Sequence, residues 1–150
     1  MTTIAWDGRA MSADRQMTDR NTALQVVRSK LRRITYEGKP ALAAGAGTSV
    51  YIAAVIDWLA KGQPADSKPE MPTTPDSFTV IVATEAGLFE YIDSLRPLAL
   101  GQIKWAIGTG SEFALGAMDA GASAKRAVQI ACVRDINSGL GIDTITLRRK

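Results

Sequence analysis

Tight turns separate short strand-forming runs along much of this chain, and this alternation limits the folds that it can adopt. Asp7-Gly8 divides TIAW from RAMSAD, so residues 3 to 14 predict a β-hairpin. After a polar turn over residues 18 to 22, Glu37-Gly38 closes a second hairpin between the alternating run QVVRSKLRRI and the small-residue strand ALAAGAG. Because a tight turn joins neighbouring antiparallel strands, the chain begins as antiparallel sheet.

The first helix is predicted at TSVYIAAVIDWL, where the apolar residues have helical spacing. Thr48 or Ser49 would cap its N-terminus, and Gly62 lies just past its end. Residues 63 to 77 contain four prolines and almost no apolar side chains, which predicts an exposed loop. Neither side of that loop looks self-sufficient, so we expect a single domain over residues 1–150.

Strands and helices also alternate after the loop. FTVIVATEAGLFEYID predicts two strands with a turn at Ala86-Gly87, and KWAIGTG predicts a further short strand. SEFALGAMDAGASAKRAVQIACVRDINSG predicts two helices broken at Ala120-Gly121, the second capped by Ser123 and ending at Gly139. GIDTITLRR is the last predicted strand. This order favours an antiparallel α+β architecture over a doubly wound parallel sheet.

Composition removes several classes of function. The 150 residues include no histidine and one cysteine, Cys132, which excludes an internal disulfide, the usual zinc ligand sets and histidine-based catalysis. We expect Cys132 to be a small core residue. The net charge of +3 comes from basic residues scattered among carboxylates, so we expect no nucleic-acid partner. No run resembles a secretory signal or a membrane span, so we expect a cytoplasmic protein without a membrane partner.

A threonine at the start of a chain offers a nucleophile that needs no histidine. If Met1 is removed, Thr2 carries both a hydroxyl and an α-amino base, and such amines have a pKa of about 7.7 to 8.0. The hydroxyl would attack a carbonyl and form an acyl-enzyme ester, which water would then hydrolyse. Many proteins begin Met-Thr, so the hypothesis depends on the residues that would surround Thr2.

Three segments in the first part of the chain resemble a known family. They are the start Thr2-Thr3-Ile4, the segment MSADRQMT with Asp14, Gln16 and Thr18, and Lys30, twelve residues beyond Thr18. The family is that of the proteasome β-subunits and their bacterial relative HslV, threonine peptidases of the N-terminal nucleophile (Ntn) hydrolase superfamily. Its mature start is a pair of threonines, its HslV form reads Asp-Gly-Gln-Ala-Thr, and its essential lysine falls on Lys30.

Later segments are similar to the same family. Gly45, eleven residues past Ile34, falls on the glycine whose backbone N–H forms the family's oxyanion hole. WAIGTGSEFALGAMDAG is similar to the Ala-Ile-Gly-Ser-Gly segment, with Thr109 in place of serine. RDINSG resembles the proteasome pattern of an aspartate, two residues and Ser-Gly, at Asp135 and Ser138.

The resemblance implies a fold, an activity and a set of catalytic roles. The fold is a four-layer α/β/β/α sandwich of two antiparallel sheets, the Ntn hydrolase fold. The activity is threonine-type hydrolysis of peptide bonds in a peptide or unfolded protein, with no cofactor and no metal. Lys30 would stabilise negative charge on Thr2, Asp14 would hold Lys30 charged, and the Gly45 N–H would stabilise the oxyanion.

The remaining matched residues would act around these three. Asp135 and Ser138 would hydrogen-bond the α-amino group or its water, and Thr109 keeps a hydroxyl next to the site. Thr18 and Gly47 lie where the family pairs its backbone with an extended substrate by strand addition.

Alternatives stay open at the level of sequence. Lys30 alone could be a solvated strand residue, Asp14 a turn former, and Asp135 with Ser138 the end of a helix. The whole chain could also be a catalytically silent ring or scaffold subunit, or an amidase that acts on a small molecule. The resemblance implies a homo-oligomeric ring. The chain lacks the family's second helical arm, where the loop over residues 63 to 77 stands, so the sequence does not support an ATPase unfoldase as partner.

Overall fold

The computed structural model describes residues 1–147, which divide into two compact units. The first comprises residues 1–31 and 103–146, and the second comprises residues 32–102 and Leu147. The elements in chain order are β1 (Thr3–Trp6), β2 (Ala10–Asp14), β3 (Gln16–Asp19), β4 (Thr22–Gln25), β5 (Arg32–Tyr36), β6 (Lys39–Gly47), α1 (Ser49–Ala60), β7 (Phe78–Thr84), β8 (Gly87–Ile92), β9 (Leu98–Gly101), β10 (Trp105–Gly108), α2 (Ser111–Asp119), α3 (Ala124–Arg134) and β11 (Ile142–Thr146).

The first unit is built on a four-stranded antiparallel sheet with the order β10-β1-β2-β11. Its β1–β2 hairpin is closed as predicted, because Asp7 Oδ1 accepts hydrogen bonds from the N–H groups of Arg9 and Ala10. Asp7 Oδ2 also accepts from the N–H of Ala124 at 2.8 Å, which ties the hairpin turn to the start of α3. α2 and α3 pack on this sheet through mostly small side chains, among them Ala5, Ala106, Ala114, Ala127, Val128 and Ala131.

A small two-stranded hairpin, β3–β4, corrects the sequence-based prediction for this region. The predicted turn over residues 18 to 22 narrows to two residues between the strands, and the run QVVRSKLRRI is not a continuous strand. Residues 26–31 are irregular, and β5 begins only at Arg32. The alternation of apolar and polar residues misled the prediction because Val27 is 92% exposed and packs on no sheet.

The second unit is a five-stranded antiparallel sheet in the order β5-β6-β7-β8-β9, covered by α1. The hairpin at Glu37-Gly38, the helix after Thr48, the loop over residues 63 to 77 and the β7–β8 turn are all confirmed. The Thr48 side chain makes no capping hydrogen bond, although the residue occupies the N-cap position. β9 was missed because it is a short edge strand whose pairing with β8 is interrupted by a bulge.

The end of α3 is the other correction. The helix is capped by Ser123, whose Oγ accepts from the Arg126 N–H, but it ends at Arg134 rather than at Gly139. Asp135 is extended, and its carboxylate holds the following turn by accepting from the Asn137 N–H at 3.1 Å. The last strand ends at Thr146, and the predicted strand residues 148 and 149 lie outside the described part of the chain.

Every strand pair in residues 1–147 is antiparallel, which confirms the antiparallel α+β class. The four-layer stacking and the single-domain organisation stay predictions. In the same part of the chain, no helix has both the length and the apolar character that a bilayer crossing requires.

Candidate active site

Thr2 lies immediately before β1 and is 4% exposed. Its Oγ1 donates a hydrogen bond to Asp14 Oδ1 and accepts one from Lys30 Nζ at 2.5 Å. The β1–β2 register explains the meeting with Asp14, because the pairing of Ile4 with Ala13 puts the start of one strand beside the end of the other. A buried threonine hydroxyl therefore lies between a carboxylate and an amine.

Asp14 is completely buried, and both of its carboxylate oxygens are bonded. Oδ1 accepts from the Thr3 N–H at 3.0 Å and from Lys30 Nζ at 2.9 Å. Oδ2 accepts from the N–H groups of Gln16 at 3.1 Å and Gly139 at 3.0 Å. A buried carboxylate is costly unless its oxygens are paired and hydrogen-bonded, and these contacts meet that need. They also hold Asp14 in one orientation.

Lys30 reaches the Thr2 hydroxyl from the irregular segment 26–31. Its Nζ also donates to the carbonyl oxygen of Gln16 at 2.5 Å, so the three N–H donors of an ammonium group each have an acceptor. Burial lowers the pKa of Lys30 below its ordinary value of 10.5, and the hydrogen bond to Asp14 opposes part of that shift. The amine is easier to deprotonate than that of a surface lysine, yet it stays paired with a carboxylate.

A second hydrogen-bonded cluster contains Asp135 and Ser138, which were predicted at the α-amino group, and Thr109, which was predicted next to the site. Asp135 Oδ2 accepts from Thr109 Oγ1 and from Ser138 Oγ, both at 2.6 Å. Since the Ser138 proton is directed to Asp135, Thr3 Oγ1 donates to Ser138 Oγ at 2.7 Å. Thr109 Oγ1 also lies 3.4 Å from the Thr2 carbonyl oxygen. The backbone of Thr2 and Thr3 thus joins this cluster to the one around Lys30.

Asp135 is held as an anion in this cluster. Burial acts to raise the pKa of Asp135, but hydrogen bonds from Ser138, Thr109 and the Asn137 N–H outweigh it, so the pKa lies below the ordinary 3.8. The positive charge of the chain's amino terminus acts in the same direction. A carboxylate therefore lies within electrostatic reach of the first amine of the chain, which here belongs to Met1.

Gly108 and Gly110, on either side of Thr109, let the backbone approach the start of the chain. Gly108 has a φ of +96°, and a Cβ there would collide with the Thr2 carbonyl oxygen. A Cβ on Gly110 would collide with Thr3 Oγ1 and would lie 3.1 Å from Asp135 Oδ2. The GTG sequence is therefore required by close packing against Thr2 and Thr3.

Thr18 lies on β3, two residues from Gln16. Its hydroxyl oxygen accepts a hydrogen bond from Gln16 Nε2 at 3.2 Å, and the same nitrogen donates to the Ile136 carbonyl oxygen at 3.0 Å. The side chain of Gln16 therefore fixes Thr18, while the carbonyl of Gln16 fixes Lys30. The predicted substrate role of Thr18 stays a prediction.

Gly45 and Gly47 lie on β6, in the second unit. A Cβ on Gly45 would lie 2.5 Å from Ile52 Cγ2, so this glycine lets α1 pack closely on the sheet. Gly47 has a φ of +113°, and a Cβ there would collide with the Ser77 carbonyl oxygen. Both glycines therefore allow close packing, and their predicted oxyanion and substrate roles stay predictions.

The sequence motifs assign no role to the side chain of Thr3 or to the N–H of Gly139. A role for Thr3 was predictable, because the side chains of successive residues in a strand point to opposite faces. If Thr2 faces Lys30, then Thr3 faces the other cluster, around Ser138. Gly139 contributes only a backbone donor, which no side-chain pattern reveals.

Cys132, on α3, takes no part in these hydrogen bonds. Burial raises the pKa of its thiol to about 11, and the nearby carboxylates of Asp14 and Asp135 act in the same direction. A thiol that stays protonated at neutral pH is a poor nucleophile. Within residues 1–147, no three His, Cys, Asp or Glu side chains are grouped so that they could hold a metal ion.

The fold is that of proteasome-like β subunits and HslV. BPH of Thiobacillus denitrificans matches with a TM-score of 0.71 and 20% identity, over 97% of this chain and 96% of BPH. BPH in complex with epoxomicin gives the same TM-score and identity, over 97% of each chain. The eukaryotic HslV from Trypanosoma brucei matches with a TM-score of 0.68 and 18% identity, over 99% of each chain. No family model and no curated protein matches the sequence.

Proposed function

We propose that this protein is a threonine-type endopeptidase whose nucleophile is the Thr2 hydroxyl, exposed together with its α-amino group by removal of Met1. The observation that carries the proposal is the bonding of the buried Thr2 Oγ1 to both Asp14 and Lys30. A hydroxyl is a weak nucleophile until a neighbouring group stabilises its negative charge or takes its proton. Lys30 supplies the first of these, and the α-amino group supplies the second.

The reaction begins when Thr2 Oγ1 attacks the carbonyl carbon of the peptide bond and its proton passes to the α-amino group, directly or through a water. The tetrahedral intermediate collapses as the leaving amine takes up that proton, and an ester to Thr2 remains. A water then attacks the ester, again with the amine as base, and releases the acid while Thr2 is restored. Lys30 stays close to Oγ1 throughout and stabilises its negative charge.

The second cluster orients the base in this proposal. Asp135 is an anion at neutral pH and is hydrogen-bonded by Thr109 and Ser138. An anion near the α-amino group favours its charged form, and the hydroxyl groups provide hydrogen bonds for the amine or its water. Both effects keep the base in place after it accepts the proton.

Substrate binding in this proposal follows from the family resemblance. The Gly45 N–H would stabilise the oxyanion, and hydrogen bonds from backbone N–H groups are effective there because they are already oriented toward the developing charge. Thr18 and Gly47 would pair with an extended peptide in the manner of an added strand.

We also propose a homo-oligomeric ring in the cytoplasm. Ring assembly is supported by the likeness to HslV and by apolar side chains that are largely exposed in the single chain, such as Ile136 at 88% and Val133 at 77%. An ATPase partner is not part of the proposal.

The test compares the wild-type protein with Thr2→Ala in the hydrolysis of a panel of fluorogenic peptides and in covalent labelling by an epoxyketone. We expect kcat to fall by about a thousandfold or more in Thr2→Ala, as it does when a catalytic nucleophile is removed. Thr73→Ala, in the exposed loop, is the matched control and should hydrolyse peptides like the wild type. Intact-mass measurement should show that Met1 is absent from the active protein.

Each alternative predicts a different result. Equal rates for the wild type and Thr2→Ala would remove Thr2 from the mechanism. Retention of Met1 on the native protein would favour a silent scaffold subunit. Turnover of small amides without turnover of peptides would favour an amidase.

A further inference from the structure

Lys30 lies in an irregular segment rather than on a helix or a strand. The segment that carries it, residues 26–31, belongs to no helix or strand, and Val27 within it is 92% exposed. Irregular surface segments of this kind are generally the most mobile parts of a fold. Nevertheless, Lys30 Nζ must stay within hydrogen-bonding distance of Thr2 Oγ1 and Asp14. Leu31, at the end of the segment, is 6% exposed and therefore anchored, but the start of the segment at Val26 and Val27 needs a contact from outside it.

Arg15 makes that contact. The Arg15 carbonyl oxygen accepts a hydrogen bond from the Val26 N–H at 2.8 Å. Its guanidinium Nη2 donates to the carbonyl oxygens of Val26 at 3.2 Å and Val27 at 3.1 Å. One residue therefore bonds the start of the segment through both its main chain and its side chain.

Arg15 is itself fixed from the opposite end of the chain. Its N–H donates to the carbonyl oxygens of Gly139 at 3.0 Å and Gly141 at 2.9 Å. Its Nε lies 3.5 Å from Asp143 Oδ2 on β11, and neither of these two atoms has a hydrogen-bond partner among the described residues. A Cβ on Gly141 would lie 3.1 Å from Arg15 Cδ, so the glycine makes room for the arginine stem.

The position of Arg15 along the chain gives these contacts a consequence for the site. Arg15 stands between Asp14 and Gln16, which bond Lys30 Nζ through a carboxylate and a carbonyl oxygen. Three consecutive residues thus hold both ends of residues 26–31. Asp14 and Gln16 bond Lys30 near the end of the segment, and Arg15 bonds the segment at its start.

We propose that Arg15, oriented by Asp143, is a positioning residue that fixes residues 26–31 and so presents Lys30 to the Thr2 hydroxyl. The catalytic consequence rests on the proposed function, whereas the effect on Lys30 itself does not. Misplacement of a charge-stabilising group slows the chemical step more than it weakens substrate binding. Arg15 should therefore affect kcat and leave KM nearly unchanged.

The experiment uses the purified full-length protein and the variants Arg15→Met, Asp143→Asn and Arg15→Lys. The first readout is the rate at which an amine-acylating reagent labels Lys30, measured by peptide mass spectrometry. The second is hydrogen–deuterium exchange of the peptide that covers residues 26–31. The third is kcat and KM for a fluorogenic peptide. Arg126→Met, an exposed arginine in the first turn of α3, is the matched control.

We expect Arg15→Met to raise the labelling of Lys30 and the exchange of residues 26–31, with β1 and β2 unchanged, and to lower kcat by about tenfold. Asp143→Asn should act in the same direction but less strongly. Arg15→Lys should recover part of the loss, since an ammonium can donate to the Val26 and Val27 carbonyls but lacks the planar fork. Arg126→Met should behave like the wild type in all three measurements.

Wild-type labelling and exchange in Arg15→Met would overturn the proposal, whatever the peptidase assay shows. Exchange that rises equally in β1, β2 and residues 26–31 would also overturn it, because Arg15 would then serve only general stability. If labelling and exchange rise locally but the wild type hydrolyses no peptide, the positioning role stands and the proposed function fails.

Discussion

At the scale of single residues, the site depends on two buried carboxylates with different partners. Asp14 is bonded by Lys30 and by backbone N–H groups, whereas Asp135 is bonded mainly by hydroxyl groups. Hydrogen bonds of this kind favour the charged form of a carboxylate, and the pKa of Asp135 is accordingly below its ordinary value. Stability should therefore depend on the ionisation of Asp135.

The sign of that dependence follows from the lowered pKa of Asp135. The unfolded chain binds a proton at Asp135 near pH 3.8, and the folded chain binds it only at lower pH. Ionised Asp135 thus stabilises the fold above pH 3.8, and this contribution disappears as the pH falls through the folded-state pKa. We expect Asp135→Asn to lose about 1–3 kcal/mol at pH 7, and to lose less as the pH is lowered below 3.8.

Thermal unfolding of the wild type and Asp135→Asn between pH 2.5 and pH 7 measures this difference. Asp66→Asn, in the exposed loop over residues 63 to 77, is the control and should differ little from the wild type at any pH. A gap between Asp135→Asn and the wild type that stays constant down to the lowest pH would contradict the lowered pKa.

At the scale of elements, the backbone at the junction between β10 and α2 packs closely against Thr2 and Thr3 at the start of the chain. Thr3 pairs with Gly108, and the Gly110 N–H lies 3.5 Å from the Thr2 carbonyl oxygen. Gly110 precedes α2 at its N-cap position, where a Cβ would displace the Thr3 hydroxyl from Ser138. Thr3 is completely buried, so its side chain cannot move aside without repacking.

We therefore expect Gly110→Ala to destabilise the protein. Overpacking of this kind costs about 1–3 kcal/mol, which corresponds to a fall in Tm of roughly 2–12 °C for a chain of this length. Gly116→Ala, within α2, is the matched control because a Cβ there meets nothing within 4 Å. It should raise Tm slightly, since alanine favours helix over glycine. Equal Tm values for the two variants would contradict the close approach at Gly110.

At the scale of the whole molecule, exposed apolar side chains around the end of α3 form a candidate assembly surface. Val133 lies near the end of α3 and Ile136 follows that helix, and both are mostly exposed in the single chain. Exposed apolar side chains that form a contiguous patch are typical of surfaces that bind another protein, and these two lie three positions apart at the end of α3. The proposed ring would cover such a surface with a second copy of the chain.

Light scattering coupled to gel filtration tests the assembly. We expect a native mass that is a multiple of 16.0 kDa, and a lower mass when Val133→Glu is combined with Ile136→Glu, because charges are costly to bury at an interface. Thr73→Glu combined with Thr74→Glu adds the same charge in the exposed loop and should leave the mass unchanged. A wild-type mass of 16.0 kDa would contradict ring assembly.

Local signals in the sequence determined the hairpins at Asp7-Gly8 and Glu37-Gly38, the three helix starts, the exposed loop and the antiparallel class. They sufficed because turn geometry and the apolar spacing of a helix both involve residues that are close in sequence. The spacing of the sequence motifs also predicted that Thr2, Asp14 and Lys30 belong to one site, and the structure brings these three residues together.

Only the tertiary structure decided how these residues are held. The contact between Thr3 and Ser138, the bond from Thr109 to Asp135, the reach of Lys30 to Thr2 and the support from Arg15 all depend on hydrogen bonds between residues 11 or more positions apart in sequence. Such bonds override local pattern because a buried polar group must find a partner wherever the fold supplies one. No periodicity in the chain encodes them, so they emerge only when the strands and helices are brought together.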